Sequence, residues 1–265
     1  MATEVVLLKL GGSLITEKSR RETARPEVIA RLAEEIARAA GKMPGRLVLG
    51  HGSGSFGHVA AQEHGIAQGL RSRDQLPGIS RTQERAAALH HQVVGQLIEA
   101  GLAPFSIAPS GCLVFEGGQP AELSLEPLLL ALGNGLLPVV YGDVVLDREQ
   151  GVAICSTERM LETLARRLPE QGFPIRRVLW LGETDGVYDA DGQTIPHLSA
   201  NRFEKALKAI GSPIGTDVTG GMRHRVETAL SLARMGIRSL LCNGLTPGLL
   251  EKALLGEAVP GTAIE

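Results

Sequence analysis

Val5-Val6-Leu7-Leu8-Lys9-Leu10-Gly11-Gly12-Ser13 is a short apolar run, broken once by a lysine, that stops at a glycine pair. A run of this length bounded by glycine reads as a buried strand followed by a turn. Leu47-Val48-Leu49 repeats the pattern and stops at Gly50-His51-Gly52. Between the two, Pro26–Ala40 carries Val28, Ile29, Leu32, Ile36 and Ala40 at helical spacing, with proline as an early helical residue. The alternation continues along the chain. Helices are predicted at Ser80–Ala100, Leu125–Leu132, Ser156–Leu168, Phe203–Ile210, Val226–Met235 and Pro247–Leu255. Strands are predicted at Phe105–Ala108, Leu113–Phe115, Leu136–Tyr141, Val178–Leu181, Ser239–Cys242 and Thr262–Ile264, with a short one after the turn at Thr184–Tyr188. Gly142–Leu146 and Val152–Cys155 flank a polar turn and read as a hairpin. This order predicts an α/β protein: a three-layer αβα sandwich whose central, mainly parallel sheet is covered on both faces.

The 265 residues are long for one domain and short for two independent ones, which implies one domain with two lobes. Proline and glycine cluster at Pro169–Pro174, so the lobes are expected at 1–168 and 169–265. Hydrophobic residues make up 43% and charged residues 21%, a globular balance that excludes a disordered or coiled-coil chain. A net charge of −2 and 3% aromatic residues recommend no nucleic-acid or membrane-surface partner. Cys112, Cys155 and Cys242 are odd in number, widely spaced and outside any CxxC, as expected of reduced thiols in a cytoplasmic protein. The apolar N-terminal stretch is too short for a signal peptide, and no run approaches the ~20 residues of a membrane span.

Ligands of open α/β sheets sit at the carboxyl ends of the strands. Glycine recurs there: Gly11-Gly12-Ser13, Gly52-Ser53-Gly54-Ser55-Phe56-Gly57 and Gly142-Asp143, with Thr219-Gly220-Gly221 opening a helix. Glycine lets backbone N–H groups approach an anion, and a helix N-terminus adds a favourable dipole. One such loop is weak evidence; four together point to an anion with several phosphates. Gly52–Gly57 also satisfies G-x-G-x-x-G, but Asp74, near the required distance, lies in a polar stretch with no strand before it, which argues against a dinucleotide site. The glycine-loop pattern of protein kinases lacks its VAIK, HRD and DFG partners, and there is no Walker A motif.

The cations follow the glycines. Lys9 ends a buried strand, where it either faces an anion or snorkels at an edge. Lys18 follows the first turn. Arg223 and Arg225 lie in a first helical turn, where they oppose the helix dipole unless an anion is present. His51 and His58 bracket the second glycine loop, and His58 is suited to bind an anionic acceptor or to act as an acid or base. His90-His91 reads as helix surface without metal spacing.

Lys9-Leu10-Gly11-Gly12-Ser13, with Ile15-Thr16 and Lys18, resembles the opening of the amino-acid kinase superfamily. His51–His58 narrows the resemblance to the isopentenyl phosphate kinases and the related fosfomycin kinases. Tyr141–Val145, Thr184–Tyr188, Thr216–Met222 and Gly261–Ile264 extend it in order over the whole chain. The resemblance implies an amino-acid kinase-like fold and ATP-dependent phosphorylation of isopentenyl phosphate to isopentenyl diphosphate, a step of isoprenoid precursor synthesis. It implies catalytic roles for Lys9, Lys18 and His58. It assigns ATP to Lys9, Gly11, Gly12, Ser13, Gly54, Asp185, Gly221 and Arg225. It assigns the acceptor to Ser53, Gly54, His58 and Thr157. Mg²⁺ is expected to ride on the ATP phosphates with no dedicated protein site. A cytoplasmic homodimer, paired through the helix at Ser80–Ala100, is expected as well. An alkenyl tail requires an apolar pocket beyond His58, for which Ala86–Leu89 and Ile154 are candidates, although plain core reads the same way.

Three sites depart from the pattern. Ser53 replaces a usual glycine and Arg225 a usual lysine, while Ser156-Thr157-Glu158 stands where Ser-Gly-Asp is common. Arginine and lysine are not interchangeable at an anion site. Two other readings therefore stand beside the first: a kinase of small phosphonates such as fosfomycin, and a nucleotide-binding regulatory protein that has lost catalysis.

Overall fold

The first strand, β1 (Val5–Leu10), is buried throughout, and its side chains alternate between two cores. Val5 and Leu7 join one core; Val6, Leu8 and Leu10 join the other. This is the period-2 geometry of a strand covered on both faces. Lys9 shares the parity of Val5 and Leu7, so strand geometry alone sends its ammonium to their side. The structure, a computed structural model, describes residues 4–43, 46–189, 191–199 and 220–265. The helix predicted at 203–210 and the motif residues 216–219 lie outside the described residues.

After β1 come α1 (Gly12–Ile15), α2 (Pro26–Ala40), β2 (Arg46–His51), α3 (Gly54–Glu63), α4 (Leu76–Glu99), β3 (Pro104–Ser106) and α5 (Pro109–Cys112). The chain continues through β4 (Leu113–Glu116), β5 (Gln119–Leu123), α6 (Glu126–Gly133), β6 (Leu137–Tyr141), β7 (Asp143–Asp147), β8 (Gly151–Cys155) and α7 (Thr157–Arg167). It closes with β9 (Ile175–Gly182), β10 (His197–Leu198), α8 (Gly220–Ala233), β11 (Ser239–Asn243), α9 (Leu249–Leu255) and β12 (Thr262–Ile264). Among the described residues, eight strands form the central sheet in the order β10-β12-β11-β9-β1-β2-β6-β3. All of its pairings are parallel except β11 with β12. Helices α6, α7 and α8 supply one core, and α2, α4 and α9 the other, which gives the expected three layers.

A second sheet, β5-β4-β7-β8, carries the predicted hairpin, in register from Asp143↔Cys155 to Asp147↔Gly151. Strand β5 escapes prediction because Gln119-Pro120-Ala121-Glu122-Leu123 has no apolar alternation; it is an edge strand, where proline is tolerated. Helix α3 escapes because it begins inside the glycine loop, whose composition reads as turn. Helix α4 starts at Leu76, four residues before the prediction, with Pro77 in its first turn. The short strand expected after Thr184 is a single bridge, Tyr188 to Thr194.

Candidate active site

The carboxyl ends of β1 and β2 and the N-terminal ends of α3 and α7 surround a cleft of about 580 Å³. The two glycine loops meet on its floor. Gly11 N–H donates to Leu181 O at 2.8 Å, and Gly52 N–H to Leu10 O at 3.0 Å. The loops are so close that a Cβ at Gly12 would stand 2.7 Å from Gly54 N and 2.8 Å from Gly54 Cα. A Cβ at Gly52 would stand 2.7 Å from Gly12 N. Gly54 also has φ +50°, in the left-handed region that favours glycine. Thr16 ties the loops together: its hydroxyl donates to Gly12 O at 2.8 Å and accepts from Ser55 N–H at 3.0 Å. Of the first N–H groups of α3, that of Ser55 is taken by Thr16, and those of Phe56 and Gly57 donate to Ser53 O at 3.1 and 3.3 Å. Ser53 and Ser13 line the cleft, whereas Gly11 is not part of its lining and packs against Leu181 and Arg225.

Strand parity delivers Lys9 to the side of α7, where Glu158 meets it. Lys9 is 4% exposed, and its ammonium forms an ion pair and hydrogen bond with the Glu158 carboxylate. Arg225, from the first turns of α8, completes the group and is 9% exposed. Its guanidinium occupies room left by two glycines: a Cβ at Gly182 would stand 2.6 Å from Nη1, and one at Gly11 3.4 Å from Nη2. Arg225 Nε is buried without a hydrogen-bond partner among the described residues. Burial lowers the Lys9 pKa; Glu158 opposes the shift and Arg225 adds to it. Burial also lowers the Arg225 pKa against Glu158. Burial disfavours the Glu158 carboxylate, but Lys9 and then Arg225 outweigh it and hold the carboxyl below its ordinary range. Two cations share one carboxylate, so the buried group carries an excess positive charge. Such an arrangement is stabilised by an incoming anion.

Lys18 stands at the rim, about half exposed, with Nζ 3.8 Å from Glu183 Oε2. Glu183 also receives Arg25 at 2.9 Å. His58 lies on α3 and faces the cleft, reachable by solvent yet walled by protein. Its pKa is lowered by burial and by the Lys9 charge, with Glu158 opposing. Thr157 is buried; its hydroxyl donates to His51 O at 2.6 Å, and its methyl fills the space over Gly50, where a Cβ would stand 2.7 Å away. Beyond His58 the wall is apolar, with Val59, Ala61, Ala86 and Ile154.

The structure thus brings Lys9, Gly12, Ser13, Lys18, Ser53, Gly54, His58, Thr157, Gly221 and Arg225 to one cleft. Asp185 is set apart: it lies past the end of β9 and accepts from Asn243 Nδ2 at 2.9 Å, outside the lining that holds Lys9. His90 corrects the sequence reading, because it is buried rather than on the helix surface. Sequence reasoning missed Glu183, which immediately follows a strand end, the position that had flagged the glycines. It also missed His224, whose Nε2 lies within hydrogen-bond distance of the Ser156 hydroxyl at 3.0 Å.

The family model for the amino acid kinase family matches residues 4–243. The chain belongs to the amino acid kinase family. Among members of that family, it is 33% identical to the isopentenyl phosphate kinase of Methanothermobacter thermautotrophicus over 98% of both chains. It is 35% identical to the isopentenyl phosphate kinase of Haloferax volcanii, over 86% of this chain and 88% of that one. A solved structure of an isopentenyl phosphate kinase superposes with a TM-score of 0.82 at 30% identity, covering 98% of this chain and all of that one.

Proposed function

We propose that this chain transfers the γ-phosphoryl group of ATP to isopentenyl phosphate, giving isopentenyl diphosphate and ADP. The observation that carries the reading is the buried Lys9–Glu158–Arg225 group with its excess positive charge, set across the glycine junction from His58. A phosphate monoester has a second pKa near ~6 and is largely dianionic at neutral pH. Its oxygen is already a nucleophile, so no strong base is required. What the reaction demands is that two anions meet in line, which is a matter of positioning and charge neutralisation.

Each residue then has a defined task. Lys9 faces the phosphoryl group in transfer, and Glu158 opposes the lowering of its pKa by burial. Arg225 turns its fork to the nucleotide phosphates from the opposite side. Gly12, Ser13, Ser53 and Gly54 offer backbone N–H groups between donor and acceptor. Lys18 closes over the developing charge from the rim. His58 donates a hydrogen bond to the acceptor phosphate. The apolar wall at Val59, Ala61, Ala86 and Ile154 takes the alkenyl tail. Asp185 and Gly221 belong to the nucleotide side. The group of three buried charges and the Cβ-free junction fit a polyphosphate. Among the described residues there is no cluster of three His, Cys, Asp or Glu side chains that could hold a metal. Mg²⁺ is assigned in this reading to the nucleotide's own phosphates, where it would supply counter-charge. A homodimer and a cytoplasmic location complete the reading.

The test is direct. Purified protein is given Mg-ATP with isopentenyl phosphate, dimethylallyl phosphate or fosfomycin, ADP release is followed and product masses are read. Diphosphate formed from the prenyl phosphates is the expected result. Turnover confined to fosfomycin, or none despite ATP binding, refutes the reading.

A further inference from the structure

Beneath the second glycine loop runs a line of side chains that the reaction above does not use. Ser106, at the exposed end of β3, lies 2.8 Å from His90 Nε2. His90 Nδ1, within α4, lies 3.0 Å from His51 Nε2 at the end of β2. His51 Nδ1 lies 3.1 Å from the carbonyl oxygen of Gly52. Both rings are buried and lie nearly parallel, edge to edge, and Tyr141 stacks on His90 with centroids 4.2 Å apart.

The last contact fixes the direction of the whole line. A carbonyl oxygen only accepts, so His51 Nδ1 carries a hydrogen. A neutral imidazole has one N–H, so His51 Nε2 accepts and His90 Nδ1 donates. His90 Nε2 then accepts from the Ser106 hydroxyl. Burial keeps both rings neutral: the pKa of His51 falls to about 3, with the His90 charge adding to the effect, and that of His90 to about 4. Every link in the line therefore has one polarity.

The line ends on the peptide between Gly52 and Ser53. That neighbourhood is held from several sides: Gly52 N–H donates to Leu10 O, while His51 O accepts from Thr157 Oγ1 and Gly142 N–H. The orientation of the Gly52–Ser53 peptide itself is set by His51. In a trans peptide the C=O and the following N–H point in opposite directions. Holding Gly52 O toward the His51 ring therefore turns Ser53 N–H away from α4 and toward the cleft, which Gly52, Ser53 and Gly142 all line. We propose that His90 and His51 form a positioning relay that locks the Gly52–Ser53 peptide, so that Ser53 N–H is aimed at the phosphate groups in the cleft. The relay rests on the phosphoryl-transfer reading for its purpose, but not for its geometry.

Two experiments test it. In the wild-type protein labelled with ¹⁵N-histidine, both His51 and His90 are expected as Nδ1–H tautomers with slowly exchanging ring protons. A hydrogen on His51 Nε2 overturns the relay. This measurement needs no substrate, so a wild-type protein inactive on isopentenyl phosphate refutes the reaction and leaves the relay standing. In the kinase assay, His90→Leu is expected to lower kcat/KM for the acceptor about tenfold, a fraction of the loss on removing an oxyanion donor outright, with the KM for ATP little changed. His90→Asn keeps an N–H near the Nδ1 position and is expected to recover most of that loss. Wild-type kcat/KM in a folded His90→Leu protein, or equal impairment in His90→Asn and His90→Leu at equal folded fraction, overturns the proposal. Should His90→Leu fail to fold, the tautomers decide alone.

Discussion

Gly12→Ala adds one methyl group where two backbones touch. The new Cβ would stand 2.8 Å from Gly54 Cα and 2.7 Å from Gly54 N, both backbone atoms with no rotamer to give way. Ordinary carbon contacts lie at about 3.5–4.0 Å, so the two loops must part by about 0.7 Å. A displacement of ~1 Å at a reacting centre costs on the order of 10²-fold in rate, which puts the expected loss in kcat at roughly 30- to 100-fold. The stability penalty is that of an overpacked site, about 1–3 kcal/mol, or a fall in Tm of some ~2–4 °C for each kcal/mol. The assay is ADP release at saturating isopentenyl phosphate and ATP, with Tm followed in parallel. Gly52→Ala opens the same gap from the other side, since its Cβ would stand 2.7 Å from Gly12 N. The two losses should therefore not multiply in the double variant, because the loops have already parted. A Gly12→Ala protein that keeps kcat within threefold of wild type, or a double variant whose loss is the full product, would refute the claim that this contact sets the transfer geometry.

Other perturbations follow from the same site. Glu158→Gln leaves the Lys9 and Arg225 charges buried without their carboxylate, and should lower unfolding free energy in urea by about 3–5 kcal/mol as well as reduce kcat. His58→Ala should raise the acceptor KM while leaving ATP affinity nearly intact; wild-type kinetics would remove His58 from the site. Lys18→Ala should reduce kcat more than ATP affinity, and a pure affinity loss would contradict a contact made in the transition state. Acid should destabilise the fold through His51 and His90, whose pKa values fall from 6.5 to about 3 and about 4. The unfolded chain takes up these protons near the ordinary histidine pKa of ~6.5 and the folded chain does not, so their contribution is complete above that pH and drains away as pH falls toward 4. At a pH of about 4.5 each ring accounts for roughly 2–3 kcal/mol, and denaturant titrations at neutral and acid pH measure the difference.

What was legible in the sequence was whatever repeats at the period of an element. Lys9 and the glycines were found because an apolar run stopped at them, and strand parity then explains why the lysine points at α7. Helix α3 was hidden because its first turn is built from Gly54, Ser55 and Gly57, residues chosen for close approach to Gly12 and Thr16 rather than for helix propensity. His90 was misread for a related reason. A histidine beside another histidine on a polar helix looks solvated, and only the register of α4 against β2 puts it next to His51. Glu183 lay next to a strand end, but its value as a partner of Lys18 and Arg25 depends on a loop closing across the sheet, which no local pattern encodes.

The three departures from the family pattern become less independent once the packing is known. Arg225 needs more width than a lysine, and it has that width because Gly11 and Gly182 present no Cβ to its guanidinium. Its fork then lies where it acts with Lys9 on one carboxylate, and Glu158 supplies that carboxylate from the first turn of α7. Ser53 is similarly accommodated, because Gly57 one turn later leaves room for its side chain: a Cβ there would stand 2.7 Å from Ser53 Oγ. Each substitution sits against a glycine or a charge that accepts it. Burying two cations on one carboxylate in the cleft lowers stability until an anion arrives, which suits a chain that binds a polyphosphate.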